Sequence, residues 1–93
     1  MRIESIRHKA LRRFAQTGNA KGVMQAERIR DMLAFIDSAG SFDALATPPN
    51  FGFRALTGDR AGEFAMTVSR NHRLTFTKID DRTISALDLE DYH

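Results

Sequence analysis

Three consecutive residues near the end of the sequence, Asp91-Tyr92-His93, set a carboxylate, a phenol and an imidazole side by side. These group types move protons near neutral pH: an imidazole titrates at about 6.5 and serves as base or acid, and a neighbouring carboxylate can orient or polarise it. A terminal carboxylate on His93 would favour the imidazolium. The same residues also suit a polar chain end without chemistry, because chain ends fray. In Arg73-Leu74-Thr75-Phe76-Thr77 the apolar residues alternate with polar ones, so Arg73, Thr75 and Thr77 share the face turned away from the core. A guanidinium there can fork onto a phosphoryl oxygen. The three histidines, His8, His72 and His93, are scattered and there is no cysteine, so neither a metal site nor a cofactor is expected.

Something rigid must present such groups, and the chain length limits what that is. Ninety-three residues, with 42% hydrophobic and 28% charged, suit one soluble domain spanning residues 1–93. No apolar run approaches the roughly 18 residues of a membrane span, and residues 1–5 lack the apolar segment of a signal peptide, so a cytoplasmic protein without membrane partners is expected. The net charge is only +2, but it is polarised: residues 1–30 carry eight bases against Glu4 and Glu27, and residues 79–93 carry Arg82 against five acids. A basic N-terminal third suits a polyanion or an acidic protein, and equally a solvated helix face. Eleven of the 14 bases are arginine, the residue better shaped for phosphate.

The elements follow from periodicity. Arg2–Ile6 reads as a short edge strand. From His8 the pattern is helical, with Leu11, Phe14 and Ala15 on one face, and Gly18 stops it. A longer helix is predicted from about Gln25 to Ala39, with Ala26, Ile29, Leu33 and Ile36 as its stripe and Met32 widening it. Ser41 looks like the cap of a single turn over Phe42–Leu45, and Pro48-Pro49 ends the helical part. Beyond residue 50 the period becomes two: strands over Phe51–Leu56, Glu63–Val68, Arg73–Thr77 and Thr83–Leu89, joined by turns. In the last strand Ile84 and Ala86 fall on one face and Leu87 and Leu89 on the other, which a bulge near Ala86 would reconcile. The expected class is α+β: a short N-terminal strand, two helices on one sheet face, then a four-strand antiparallel meander.

Four stretches in this order, Ile6–Leu11, Ala55–Gly62, Val68–Phe76 and Asp91-Tyr92-His93, resemble the HigB family of toxins, within the RelE/ParE superfamily of type II toxin–antitoxin systems. The resemblance spans the whole chain. It implies a compact α+β domain and a ribosome-dependent endoribonuclease that cleaves messenger RNA in the A site and inhibits translation. It also implies a HigA-like helix-turn-helix antitoxin that silences the toxin, with the complex binding operator DNA through the antitoxin. Alternatives on the same fold are a ParE-type inhibitor of gyrase, and a degenerate toxin acting only as a co-repressor.

Cleavage without a metal needs a base for the ribose 2′-OH, cations for the pentavalent oxyanion, an acid for the leaving 5′-oxygen and an in-line pose. The resemblance implies that Arg73, Asp91, Tyr92 and His93 form the catalytic set, with Tyr92 able to donate to phosphate or stack on a base. Two positions depart from the family pattern His-Pro-Leu-Lys-Gly, which here reads Arg54-Ala55-Leu56-Thr57-Gly58. Arg54 can stabilise an oxyanion but shuttles protons poorly, and Thr57 offers a hydrogen bond without charge. Both are expected to bind substrate. Arg60 is expected either to pair with Asp59 or to touch RNA, and Lys9, with Arg7, Arg12 and Arg13, to meet ribosomal RNA phosphates or form a solvated or antitoxin-binding face. His72 should turn to the face opposite Arg73.

Overall fold

A computed structural model describes residues 1–92. The first helix, α1 (Lys9–Thr17), starts where His8 Nδ1 accepts the Leu11 amide proton at 3.1 Å and ends at Gly18, whose φ of 79° allows its N–H to reach the Phe14 carbonyl. Leu11 and Phe14 are buried; Ala15 stays exposed at the edge of that face. In α2 (Ala26–Ser38) the buried stripe is Ile29, Met32 and Ile36, with Leu33 half-buried beside it. A short α3 (Phe42–Ala46) follows Ser41 as expected, but the serine hydroxyl makes no capping bond. The Phe42 amide instead donates to the carbonyl of Asp81 at 2.7 Å, so a distant turn satisfies the helix start.

The strands are β1 (Arg2–Ile3), β2 (Arg54–Ala55), β3 (Glu63–Thr67), β4 (His72–Asp80) and β5 (Thr83–Asp91), in the order β1-β5-β4-β3-β2. The meander β2 to β5 is antiparallel as expected, but the sheet as a whole has five strands and is mixed, because β1 lies parallel to β5. The reason is the open edge that β5 would otherwise present: β1 takes it, and the helices between β1 and β2 supply the crossover that a parallel pair requires. Strand β2 is shorter than its apolar pattern implied. Phe51 and Gly52 both adopt left-handed φ (55° and 67°), so the chain turns before the ladder begins. A Cβ on Gly52 would meet Thr67 Oγ1 at 3.1 Å, so glycine suits both the turn and the close approach.

Strand β5 carries the irregularity expected from its apolar pattern. Thr75 pairs with Asp88 and Thr77 with Ser85, so Ala86 and Leu87 together oppose the single residue Phe76, and Ala86 sits at φ 54°. This bulge lets both Ile84 and Leu87 reach the core, where each is fully buried. The strand also runs on through Asp91, which pairs with His72, and the Tyr92 amide donates to the Asn71 carbonyl at 3.0 Å. Asp91 and Tyr92 therefore continue the pairing of β5 with β4 and do not form a loose tail.

The core lies between the helices and the sheet face that shows Met66, Leu74, Phe76, Ile84 and Leu87. Phe42 is its aromatic hub, edge-on to Phe64 (4.8 Å), Phe53 (5.7 Å) and Phe76 (6.4 Å) between centroids. Truncating it leaves a cavity ringed by rigid neighbours. Phe42→Ala should lower stability by about 3–5 kcal/mol, against about 0.5 kcal/mol or less for exposed Met24→Ala. Urea unfolding of the two variants measures the contrast.

Candidate active site

The face of the sheet away from the helices is set by strand register. Arg54 pairs with Ala65, Ala65 with Thr75, Thr67 with Arg73, and Arg73 with Glu90. Directly paired residues point to the same side. Alternation therefore places Arg54, Thr67, Arg73, Thr75 and Glu90 on one face, and Leu74, Phe76 and Leu89 on the core face. The sequence pattern put Arg73, Thr75 and Thr77 on an open outer face, and that is corrected in one respect: Thr75 is only 2% exposed, because polar side chains cover it.

Glu90 is the centre of that cover. Its Oε1 accepts from Arg60 Nη1 (2.8 Å) and Arg73 Nε (3.3 Å), and its Oε2 accepts from Arg60 Nη2 (2.6 Å) and Thr75 Oγ1 (2.9 Å). Arg60 also forks onto Glu63, Nε to Oε2 at 3.0 Å and Nη2 to Oε1 at 2.7 Å. Arg60 lies in the one-turn 3₁₀ segment Gly58–Arg60, whose tight winding turns its side chain back over β3 and β5. Hydrogen bonds from the Arg60 guanidinium hold the Glu90 carboxyl down at about 2, and Thr75 and Arg73 assist. The Glu63 carboxyl is lowered by the same guanidinium, and the two carboxylates in turn raise Arg60. The expected pairing of Arg60 with Asp59 is thus replaced by a double clamp on Glu63 and Glu90. Glu90 and Glu63 were absent from the residues that the sequence singled out. The signal for Glu90 was its phase, the outward position across from Arg73 once the Ala86 bulge is counted.

Tyr92 lies at the end of β5 and is 39% exposed. Arg73 Cζ stands 4.7 Å from the centre of its ring and Arg54 Cζ 5.9 Å, so two guanidiniums flank one phenol. Arg54 is steered by Nη1 bonds to Thr67 Oγ1 (3.2 Å) and the Gly52 carbonyl (3.4 Å). Arg54, Arg73 and Tyr92 therefore converge. Asp91 does not join them: alternation turns it to the other side of the strand, where its Oδ2 is 3.9 Å from His72 Nε2. His72, which also contacts Ser69 Oγ through Nδ1 at 3.2 Å, faces away from Arg73 as strand phase predicted. Thr57 is exposed at the start of the 3₁₀ turn, and its carbonyl accepts from the Arg60 amide. Lys9 opens α1, in the helical layer packed on the opposite sheet face. The expectation for His93 lies outside the described residues.

The convergent set can stabilise developing negative charge and stack against a planar ring. An apolar groove of about 990 Å³ between α2, α3 and the Pro48–Phe51 turn shares no lining residue with this cluster. The electrostatics give a direct test. Because the Glu90 carboxyl falls from its ordinary 4.5 to about 2 on folding, its stabilising contribution is fully present above pH 4.5 and disappears as pH falls through 2. Glu90→Gln should therefore be less stable than the parent protein at pH 7. Urea unfolding should show that gap closing as pH falls through this window; a gap that stays constant would contradict the assignment.

No family model matches the chain. Endoribonuclease HigB of Proteus vulgaris is 36% identical over 93 residues, covering 98% of this chain and 99% of that protein. Among solved structures, a YoeB/ParE toxin from Agrobacterium tumefaciens superposes over 100% of this chain and 99% of its own, with a TM-score of 0.57 at 16% identity. The YoeB dimer structure from Staphylococcus aureus gives 0.54 at 20% identity, covering 100% and 97%. These two likenesses carry the fold, and the full-length identity carries the family: the chain belongs to the HigB family.

Proposed function

We propose that this protein is an endoribonuclease toxin that cuts messenger RNA on the ribosome. The observation that carries the reading is the pair of guanidiniums, Arg73 and Arg54, over the ring of an exposed Tyr92. The naming of its 36%-identical relative as an endoribonuclease supports it.

In this reading the ribose 2′-oxygen attacks the adjacent phosphorus, the 2′-O–P bond forms and the P–O5′ bond breaks. The products are a 2′,3′-cyclic phosphate and a 5′-hydroxyl. His93 and Tyr92 handle the two protons, one removed from the 2′-OH and one delivered to the 5′-oxygen. Arg73 forks onto the phosphoryl oxygens where charge develops, and Arg54 adds a second cation in the position where an imidazole would shuttle protons. Asp91, on the His72 side of β5, acts as an orienting carboxylate at the end of the strand and does not itself meet the phosphate. Arg60 serves the site as a brace, since four hydrogen bonds occupy a guanidinium with five N–H donors. Thr57 contacts the messenger at the edge of the site, and Lys9, on the helical layer of the opposite face, meets ribosomal RNA phosphate.

Two arginines beside one exposed ring stabilise a transition state better than they immobilise a flexible strand. In-line geometry then comes from a surface that already holds the RNA, which is the physical argument for the ribosomal A site. A helix-turn-helix antitoxin neutralises the toxin, and the complex reaches operator DNA through that antitoxin. The setting is the cytoplasm, where the ribosome is. Inducing the chain alone should arrest growth and leave cuts within translated messages. Arg73→Ala should slow cleavage by about 10²–10³-fold, as expected for loss of an oxyanion donor, while leaving the fold intact. Intact transcripts accompanied by a DNA-damage response would instead favour a gyrase-directed toxin. RNA binding without cuts would favour a degenerate one.

A further inference from the structure

A carboxylate beside a cation that binds phosphate is an electrostatic liability, and Glu90 is such a carboxylate. Its two oxygens accept four hydrogen bonds, about the full capacity of the group. One comes from Thr75, which is 2% exposed in the middle of the sheet, so Glu90 is tied to a buried position of the strand ladder. Arg60 neutralises it and is itself held by Glu63. From this anchored position Glu90 takes only the Nε of Arg73. Among the described residues the two terminal Nη groups of Arg73 make no hydrogen bond. The Arg73 plane is fixed a second time by the Tyr92 ring at 4.7 Å. A guanidinium held at Nε and packed over an aromatic ring has little rotational freedom left.

We infer that Glu90 is a positioning residue: it aims the terminal fork of Arg73 at the reacting phosphate, with Arg60 as the counter-charge that makes a carboxylate tolerable there. The inference rests on the nuclease reading above and assigns a role to a residue that does not itself touch RNA. It opposes the bulk-charge view of the site. If Glu90 acted only through its charge, removing that charge would draw RNA in more tightly and leave turnover unchanged or faster. As an aiming device, its loss leaves binding unchanged or tighter while turnover falls.

The test is steady-state cleavage of a defined messenger RNA by the purified full chain in a reconstituted translation reaction, with programmed ribosomes as the varied substrate. Glu90→Gln should lower kcat by up to about a hundredfold, the scale for a misplaced catalytic group, with KM unchanged or lower. In an Arg73→Ala background the same substitution should cost nothing further, because there is no fork left to aim. Thr75→Val keeps shape and both ion pairs but removes one bond to Glu90, and should lower kcat several-fold on a protein that folds normally. Unchanged kcat in Glu90→Gln or, should that variant fail to fold, in Thr75→Val would overturn the inference, as would a Glu90 effect of the same size with and without Arg73. If the parent protein cuts nothing, the nuclease reading itself falls and the role of Glu90 with it; cleavage by the parent and by Glu90→Gln at equal rates removes only the role of Glu90.

Discussion

The bulge at Ala86 is the constraint on which both faces of the sheet depend. Counted from buried Ile84 by strict alternation, residues 86, 88 and 90 would point into the core, and Leu87 and Leu89 out of it. One extra residue opposite Phe76 reverses this: Leu87 and Leu89 turn toward the helices, and Glu90 turns to meet Arg73. Holding a non-glycine residue at φ 54° costs about 1–2 kcal/mol. Burying one leucine contributes roughly 1.5–3 kcal/mol, and here the reversal rescues one fully buried leucine and one partly buried one. It also spares the fold a glutamate in an apolar core, which costs several kcal/mol per ion. Burial therefore outweighs backbone strain, and the strained position is the one that makes the site. The Ala86 amide is not wasted, since it donates to Ser5 Oγ at 2.9 Å and so ties the bulge to the chain leaving β1.

What the bulge delivers to the outer face is an ionic cluster in a setting where such clusters are effective. Isolated surface ion pairs contribute little, because solvent screens them and holding long side chains costs entropy. Here the groups are half-covered, the Arg60–Glu63 geometry is bidentate, and Thr75 supplies a hydrogen bond from within the sheet. Among the described residues no buried side-chain nitrogen or oxygen lacks a partner. The cluster carries two guanidiniums and two carboxylates and so adds no net charge. Arg54 is the surplus cation beside Tyr92. Under the proposed nuclease reading, the pull on a phosphate would depend on where each guanidinium points more than on how many there are, with bracing and chemistry coupled through one glutamate.

The periodicities were legible because one face of each element is buried. The stripe of α2, the glycine stop of α1 and the phase slip at Ala86 all appear as apolar spacing, and burial against a core enforces spacing. Two features were not legible. The five-strand mixed sheet depends on β1 finding the edge of β5 from 81 residues away, and a two-residue strand has too short a pattern to announce a partner. The early end of β2 depends on left-handed turns at Phe51 and Gly52, where Phe51 is a residue type that rarely signals such a turn. In the site, Arg73 was readable from strand phase and Tyr92 from its neighbours in the chain. Glu90 read as one more acid in an acidic end, because its three partners lie 15 to 30 residues away.

By itself the amino-acid sequence determined the helical and extended segments, the outward position of Arg73, the need for a bulge and, through four stretches in register, the family. These are local or pattern properties, set by which side of each element must leave water. Tertiary structure alone decided which polar groups became partners. It separated Asp91 toward His72 from Tyr92 toward Arg54 and Arg73, although the two are adjacent in the chain, because consecutive strand residues must point to opposite faces. It also took Arg60 from its neighbour Asp59 and gave it to Glu63 and Glu90, because one turn of 3₁₀ helix directs its side chain over the sheet.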